Sequence, residues 1–134
     1  MALGIEDRLA VMELVALHGH LVDDGELHRL DELFTADVVY DVTDQGHGSL
    51  VGVDAFREAA LAMGALNPVG HHVTNIVLTD LGEGRVGSRS KGIGVNADGT
   101  CGSVTYQDTI VRGEHGWRIA YRKVIARRTP LSPS

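Results

Sequence analysis

The sequence predicts an α+β domain in which helices come first and long antiparallel strands follow. Apolar residues recur at helical spacing in the first half, and runs of β-branched residues separated by tight turns fill the second half. This order differs from the alternating strands and helices of a parallel sheet. The 134 residues are enough for one domain, so we expect residues 1–134 to form a single unit with 128–134 as a flexible tail.

Three helices are predicted in the first half of the chain. The first runs from Ile5 to Val22, a short second one from Glu26 to Phe34, and a third from Val53 to Met63. The buried stripe of the first helix is predicted to consist of Ile5, Leu9, Met12 and Ala16, widened by Val11, Leu14, Val15 and Leu21.

Strands are predicted where β-branched and aromatic residues cluster between turn signals. The stretch VVYDVT and the short segment Ser49–Val51 come first. Four long strands then follow, at about His71–Thr79, Gly84–Val95, Gly102–Arg112 and Trp117–Arg127. A curved sheet wrapped around helices encloses a cavity, so we expect the chemistry to lie there.

Composition excludes several classes of function. The formal net charge of −6 argues against a nucleic-acid surface, and we interpret the basic residues near the C-terminus as part of a strand and the tail. The single Cys101 excludes an intrachain disulfide and a multi-cysteine zinc site. The start MALGIEDRLAVMEL lacks the basic and apolar regions of a signal peptide, and no stretch approaches the ~20 apolar residues of a membrane span. We therefore expect a cytoplasmic protein that binds neither membrane nor nucleic acid.

Two adjacent histidines, His71 and His72, lie in the stretch VGHHVTN. Neighbouring residues on a strand point to opposite faces, so the two rings cannot readily share a metal ion, and no HExxH spacing occurs elsewhere. We expect no metal and no organic cofactor. Periodicity leaves open which histidine faces the cavity: one face would carry His71, Val73, Asn75 and Val77, the other His72, Thr74, Ile76 and Leu78.

Two residues of the first helix are candidates for the same site. Asp23 ends the helix, where a carboxylate opposes the macrodipole, and it could orient a catalytic imidazole from there. His18 follows Val11 and Val15 at helical spacing, which fits either a hydrogen-bonded core histidine or a substrate contact.

Three strand residues complete the candidate set. Tyr40 shares its strand face with Val38 and Val42, as a core or cavity-wall residue would. Tyr106 and Asp108 share a face, so a phenol and a carboxyl could both enter the cavity or both lie on a wet outer face.

Several stretches together resemble the SnoaL-like branch of the NTF2-like superfamily over about Ile5 to Arg127: LVDDGELHRLDELF, TADVVYDV, GHHVTN, SVTYQDTIVR and GWRIAYRKV. That superfamily includes scytalone dehydratase, ketosteroid isomerase, bile-acid dehydratase, hexachlorocyclohexane dehydrochlorinase and polyketide cyclases. The resemblance implies a cone of three N-terminal helices packed on a strongly curved antiparallel sheet that encloses an apolar pocket.

The resemblance also implies a His–Asp dyad. The family pattern D-x-G-[DE]-x-x-x-L-x-x-LF places its aspartate on Asp23, and the pattern H-x-x-T-N places its histidine on His71. His18 stands where relatives often carry a tyrosine or lysine, so this chain departs from the family there. The implied reaction is a cofactor-independent elimination or isomerisation of a small apolar cyclic substrate, similar to a steroid, polyketide or terpenoid. Tyr40, His18 or Tyr106 would then hydrogen-bond the substrate.

Three other functions remain open at this stage. The domain could bind a small molecule without turnover, act as a structural subunit resembling the small subunit of a ring-hydroxylating dioxygenase, or bind protein through its outer sheet face. Long strands with Val and Ile on both faces need covering, so we expect a homodimer or higher homo-oligomer through that face.

Overall fold

The computed structural model describes residues 3–46 and 48–131, which form helices packed on one curved sheet. Two α-helices are present in this part of the chain, α1 (Ile5–Asp23) and α2 (Val53–Met63). Three short 3-10 helices cover Leu27–Glu32, Thr43–Gln45 and Gly64–Leu66. The strands are β1 (Phe34–Asp41), β2 (Ser49–Val51), β3 (Gly70–Gly82), β4 (Arg85–Val95), β5 (Cys101–Gly113) and β6 (Gly116–Arg127).

The six strands form one open sheet in the order β2-β1-β6-β5-β4-β3. Strands β3 to β6 form an antiparallel meander, and β1 pairs antiparallel with β2. Strand β1 pairs parallel with β6. The sheet is therefore mixed, whereas a wholly antiparallel sheet was predicted. A parallel pair needs a long connection, and here α2 and the whole meander provide it. The predicted α+β class with a curved sheet is confirmed.

The second predicted helix is shorter than expected and is not an α-helix. A 3-10 helix covers only Leu27–Glu32, and Phe34 already begins β1. Isolated short segments rarely sustain α-helical hydrogen bonding. Arg29 instead bridges the two ends of the segment, with ion pairs to Glu26 at 2.6 Å and to Glu32 at 2.7 Å.

Helix α1 buries only part of the predicted stripe. Ile5, Leu9 and Met12 are 77%, 57% and 40% exposed. The buried residues are Val11, Leu14, Val15, His18, Gly19 and Leu21. The prediction was therefore correct for Val11, Leu14, Val15 and Leu21, which were expected to widen the stripe, and wrong for Ile5, Leu9, Met12 and Ala16, which were expected to form its centre. It gave the limits of the helix to within one residue.

A bulge in β3 decides which side chains face inward. Asn75 has φ 57°, and the pairing register with β4 shifts between Thr74 and Val77. Asparagine tolerates this left-handed conformation better than most residues. The extra residue reverses the alternation: Val73, Ile76 and Leu78 pack against the core, whereas His72, Thr74 and Val77 are exposed.

The core lies between α1, the 3-10 helix Leu27–Glu32 and the concave face of the sheet. Its fully buried members include Val15, Leu30, Phe34, Ile110 and Ile119. Residues 128–131 follow β6 without regular structure, and the rest of the predicted tail, 132–134, lies outside the described residues. No helix in the described part of the chain is both long and apolar enough to cross a membrane.

Candidate active site

A cavity of about 740 Å³ lies between α1, α2 and the concave face of the sheet. Its apolar lining includes Val22, Leu50, Phe56, Met63, Val104 and Val124. Four of the predicted site residues also line it: His18, Tyr40, His71 and Tyr106. This volume falls within the range of ~300–1,000 Å³ that is typical of small-molecule sites.

His71 lines this cavity and forms a close pair with Asp23, which lies behind it outside the lining. Nδ1 of His71 lies 2.6 Å from Oδ1 of Asp23, and the backbone N–H of His71 donates to Oδ2 at 2.9 Å. The side chain of His71 is 17% exposed and that of Asp23 is 22% exposed. An ionised carboxylate only accepts hydrogen bonds, so the shared hydrogen belongs to Nδ1 and the lone pair of the neutral ring is on Nε2. The pair that the resemblance implied is thus in contact.

Gly19 makes this contact possible. It lies one helical turn before Asp23 on the same face of α1, where the helix crosses the start of β3. A Cβ atom at Gly19 would clash with the backbone oxygen of His71. The absent side chain therefore lets the helix approach the strand closely enough for Asp23 to reach the imidazole.

Replacing Gly19 with alanine is expected to destabilise the protein by about 1–3 kcal/mol, because backbone must move away from backbone. Helix propensity alone predicts the opposite sign, a gain of up to about 1 kcal/mol. Urea unfolding with circular dichroism would measure the difference, with Ala16→Gly on the exposed face of the same helix as the reference. A Gly19→Ala protein more stable than the natural one would contradict the close approach.

A buried ion pair lies behind His18. Arg122 donates from Nε and Nη2 to the two carboxylate oxygens of Asp108 at 2.7 and 2.8 Å, and both side chains are fully buried. Its third nitrogen, Nη1, lies 2.9 Å from Nδ1 of His18. The guanidinium also stacks 4.4 Å from the ring centre of Tyr106. Arg122 therefore connects a carboxylate, an imidazole and a phenol.

The structure corrects the expected position of Asp108. It shares the inner face with Tyr106, as one of the two alternatives held, but it is not part of the cavity wall. Both of its oxygens accept from Arg122, so its side chain is not available to a ligand. Arg122 itself was missed, because it was grouped with the basic residues of the C-terminal strand and tail.

The two tyrosines of the cavity wall are expected to remain protonated. Burial raises the pKa of Tyr40, and neighbouring Tyr106 adds to the effect. Burial also raises the pKa of Tyr106, which Arg122 partly opposes. At neutral pH both phenols are therefore hydrogen-bond donors.

A compact metal-binding cluster is not found in the described part of the chain. Within residues 3–46 and 48–131, no group of three or more His, Cys, Asp or Glu side chains could hold a metal ion. His72, the other histidine of the adjacent pair, lies on the exposed side of β3.

The order of the helices and strands and the cavity that they enclose are those of the NTF2-like class of folds, and solved structures agree. A protein of Novosphingobium aromaticivorans provisionally named an aromatic ring hydroxylase is 29% identical, with a TM-score of 0.78 over 96% of this chain and 94% of that one. An NTF2-like protein with a cystatin-like fold from the same organism is 26% identical, with a TM-score of 0.75 over 91% and 82%. A provisionally named scytalone dehydratase, also from that organism, is 19% identical, with a TM-score of 0.72 over 93% and 89%.

The sequence itself identifies the family. A model of the SnoaL-like domain matches residues 4–123, so the chain belongs to the SnoaL-like family, as its motifs predicted. No curated protein sequence matches the chain.

Proposed function

We propose that this protein is a cofactor-independent lyase or isomerase of the dehydratase type, with His71 as general base. The observation that carries the proposal is the 2.6 Å contact between Asp23 and His71 at the wall of a largely apolar cavity. A carboxylate in this position fixes the tautomer of the imidazole and stabilises the imidazolium that forms when the ring takes a proton.

In the proposed elimination, His71 removes a proton from the carbon next to a substrate carbonyl. The electron pair of that C–H bond forms a carbon–carbon double bond as the β-carbon loses its hydroxyl group. His71 then returns its proton to the departing oxygen, which leaves as water. Isomerisation would use the same first step and return the proton to a different carbon.

The surroundings of the dyad support a substrate with a large apolar surface and few polar groups. The cavity of about 740 Å³ is lined mostly by apolar side chains. Its polar lining includes the phenols of Tyr40 and Tyr106, which suit a carbonyl or hydroxyl oxygen. We therefore propose a small cyclic substrate such as a steroid-, polyketide- or terpenoid-like ketone.

A panel of cyclic β-hydroxy ketones with one, two or three fused rings would test the proposal. The natural protein is expected to convert at least one of them to the conjugated enone or phenol, seen as a rise in ultraviolet absorbance. Nuclear magnetic resonance in D₂O is expected to show deuterium entering the α-carbon. If no member of the panel undergoes elimination, isomerisation or α-exchange, the proposal is contradicted.

Melting temperatures with the same panel, together with co-purification, distinguish the two alternatives. A panel member that raises the melting temperature without reacting would indicate a small-molecule binding domain. A structural subunit is the second alternative, since a provisionally named β subunit of an aromatic-ring-hydroxylating dioxygenase has the same fold. That role would require neither turnover nor ligand binding, and the protein would co-purify with a large iron-containing partner.

A further inference from the structure

We infer that Arg122, held by Asp108, fixes His18 as a neutral imidazole whose Nε2–H donates a hydrogen bond to a substrate oxygen. The site would then contain two histidines in opposite tautomers, with His71 as the base and His18 as the donor. This inference rests on the proposed function for its substrate, but the state of His18 can be tested without one.

The chemistry of arginine determines which nitrogen of His18 carries the hydrogen. A guanidinium group has five N–H donors and no acceptor, and it stays protonated in proteins. Nη1 of Arg122 lies 2.9 Å from Nδ1 of His18, so Nδ1 must accept. A neutral imidazole with an acceptor at Nδ1 has its hydrogen on Nε2.

Burial and neighbouring groups oppose protonation of His18. An imidazolium would turn a donor toward the donor of Arg122 and would bring a second positive charge into a buried position. Burial, then the charge of Arg122, then His71 lower the pKa of His18 well below its ordinary value of 6.5. The carboxylate of Asp108 accepts from Arg122 at both oxygens, and that of Asp23 is engaged by His71 at both oxygens.

Nε2 of His18 is available to a ligand in the cavity. His18 lines the cavity, and its Nε2 has no hydrogen-bond partner among the described residues. Its ring centre lies 5.5 Å from that of His71 and 5.8 Å from that of Tyr106. A carbonyl oxygen and the hydrogen on the adjacent carbon are close neighbours, so one substrate can contact both histidines.

The Asp108–Arg122 pair holds the guanidinium in a fixed orientation. Asp108 and Arg122 face each other directly across β5 and β6, with two parallel hydrogen bonds between them. Bidentate pairs of this kind fix orientation as well as charge. Arg122 and Asp108 are therefore positioning residues, which act through His18 and do not touch the substrate.

A neutral donor of this kind favours a particular substrate class. It stabilises negative charge that develops on an oxygen during the reaction, as in an enolate formed from a ketone. His18 thus replaces, with different chemistry, the tyrosine or lysine expected at this position. We infer that the substrate is a cyclic ketone or enone whose oxygen contacts His18 and whose α-hydrogen faces His71.

Two-bond ¹H–¹⁵N correlation spectra of the ¹⁵N-labelled protein would report both tautomers between pH 5 and 8. The chain has seven histidines, so His18→Asn and His71→Asn variants would assign the two signals. We expect His18 with hydrogen on Nε2 and no transition to imidazolium over the ordinary histidine range, and neutral His71 with hydrogen on Nδ1. A His18 with hydrogen on Nδ1, or one that becomes an imidazolium with an ordinary pKa, would overturn the inference.

The double variant Arg122→Met with Asp108→Leu tests the role of the pair while leaving no unpaired buried charge. In this protein His18 is expected to populate both tautomers and to titrate closer to its ordinary range. Arg127→Met, which removes an exposed arginine from the same strand, is the matched control and should leave the His18 spectrum unchanged. An unchanged spectrum in the double variant would show that the pair does not position His18.

The contact with substrate needs a second measurement on any panel ketone that is turned over. The His18→Asn side chain retains an acceptor for Arg122 but is too short to place a donor at the Nε2 position. We expect kcat to fall by about 10²-fold, as after loss of an oxyanion donor, with a much smaller change in KM. An unchanged kcat would overturn the donor role even if the tautomer is as inferred. If the tautomer is correct but no panel member reacts, the proposed function fails and the assignment of His18 stands.

Discussion

Replacing His71 with alanine is expected to lower kcat on a reactive cyclic β-hydroxy ketone by about 10²–10⁴-fold, the usual contribution of a general base. The ring is the group whose Nε2 is free to take the proton, since Nδ1 is engaged by Asp23 at 2.6 Å. Removing it from a partly exposed position at the cavity wall should leave the fold intact. Steady-state kinetics, with circular dichroism to confirm folding, would measure the effect.

Asp23→Asn is expected to reduce turnover for a related reason. An amide cannot stabilise the imidazolium by charge, and its NH₂ group can favour the wrong tautomer of His71. The chain offers neighbouring controls for both substitutions, because His72 and Asp24 are exposed. His72→Ala and Asp24→Asn should retain the activity of the natural protein. Full activity in His71→Ala, or equal losses in His72→Ala, would disprove the role of the dyad.

The fold class was predictable because it depends on the order and length of the elements. Helical spacing gave the limits of α2 and those of α1 to within one residue, and turn residues separated the four long strands. The parallel pairing of β1 with β6 could not be predicted in the same way. It depends on where the end of the meander meets the first strand, which no local pattern specifies.

The orientation of the site residues was less predictable, because register shifts interrupt the alternation of the strands that carry them. The bulge at Asn75 allows His71 to share the inner side of β3 with Ile76 and Leu78, which strict alternation would separate from it. The resemblance to the family, not periodicity, selected His71 over His72.

A second irregularity concealed Arg122. The β5–β6 register shifts between the pairs Ile110–Ile119 and Thr109–Tyr121. Counting back from the turn without this shift would place Gln107 opposite Arg122, whereas the structure places Asp108 there. The opposite charges of Asp108 and Arg122 would have predicted their ion pair only if this register shift had been known.

The site is built from residues that are distant in sequence. Asp23 and His71 are 48 positions apart, and His18 and Arg122 are 104 apart. Helix α1 supplies one member of each pair, so its contact with the sheet at Gly19 sets the geometry of both. The homodimer through the outer sheet face stays a prediction. Val77 and Ile93 are exposed apolar side chains of β3 and β4 that such a contact would cover.

Replacing Arg122 with methionine alone is expected to destabilise the protein by about 3–5 kcal/mol, the usual result of leaving one member of a buried ion pair without its partner. Asp108 would retain a carboxylate whose side chain is fully buried, and Nδ1 of His18 would lose its donor. Adding Asp108→Leu removes the unpaired charge. The double variant should therefore recover most of the lost stability, because apolar replacements of buried pairs are often neutral.

Urea unfolding at pH 7 of the natural protein, the two single variants and the double variant would give the coupling free energy between Arg122 and Asp108. Arg127→Met, at an exposed position of the same strand, provides the baseline for loss of an arginine, within about 0.5 kcal/mol of the natural protein. If Arg122→Met is as stable as this control, the guanidinium cannot be holding Asp108 and His18 in the buried arrangement. If Arg122→Met is strongly destabilised and the double variant is not, the fold does not need the ion pair for its stability. The contact of Arg122 with His18 would then best explain why the pair is present.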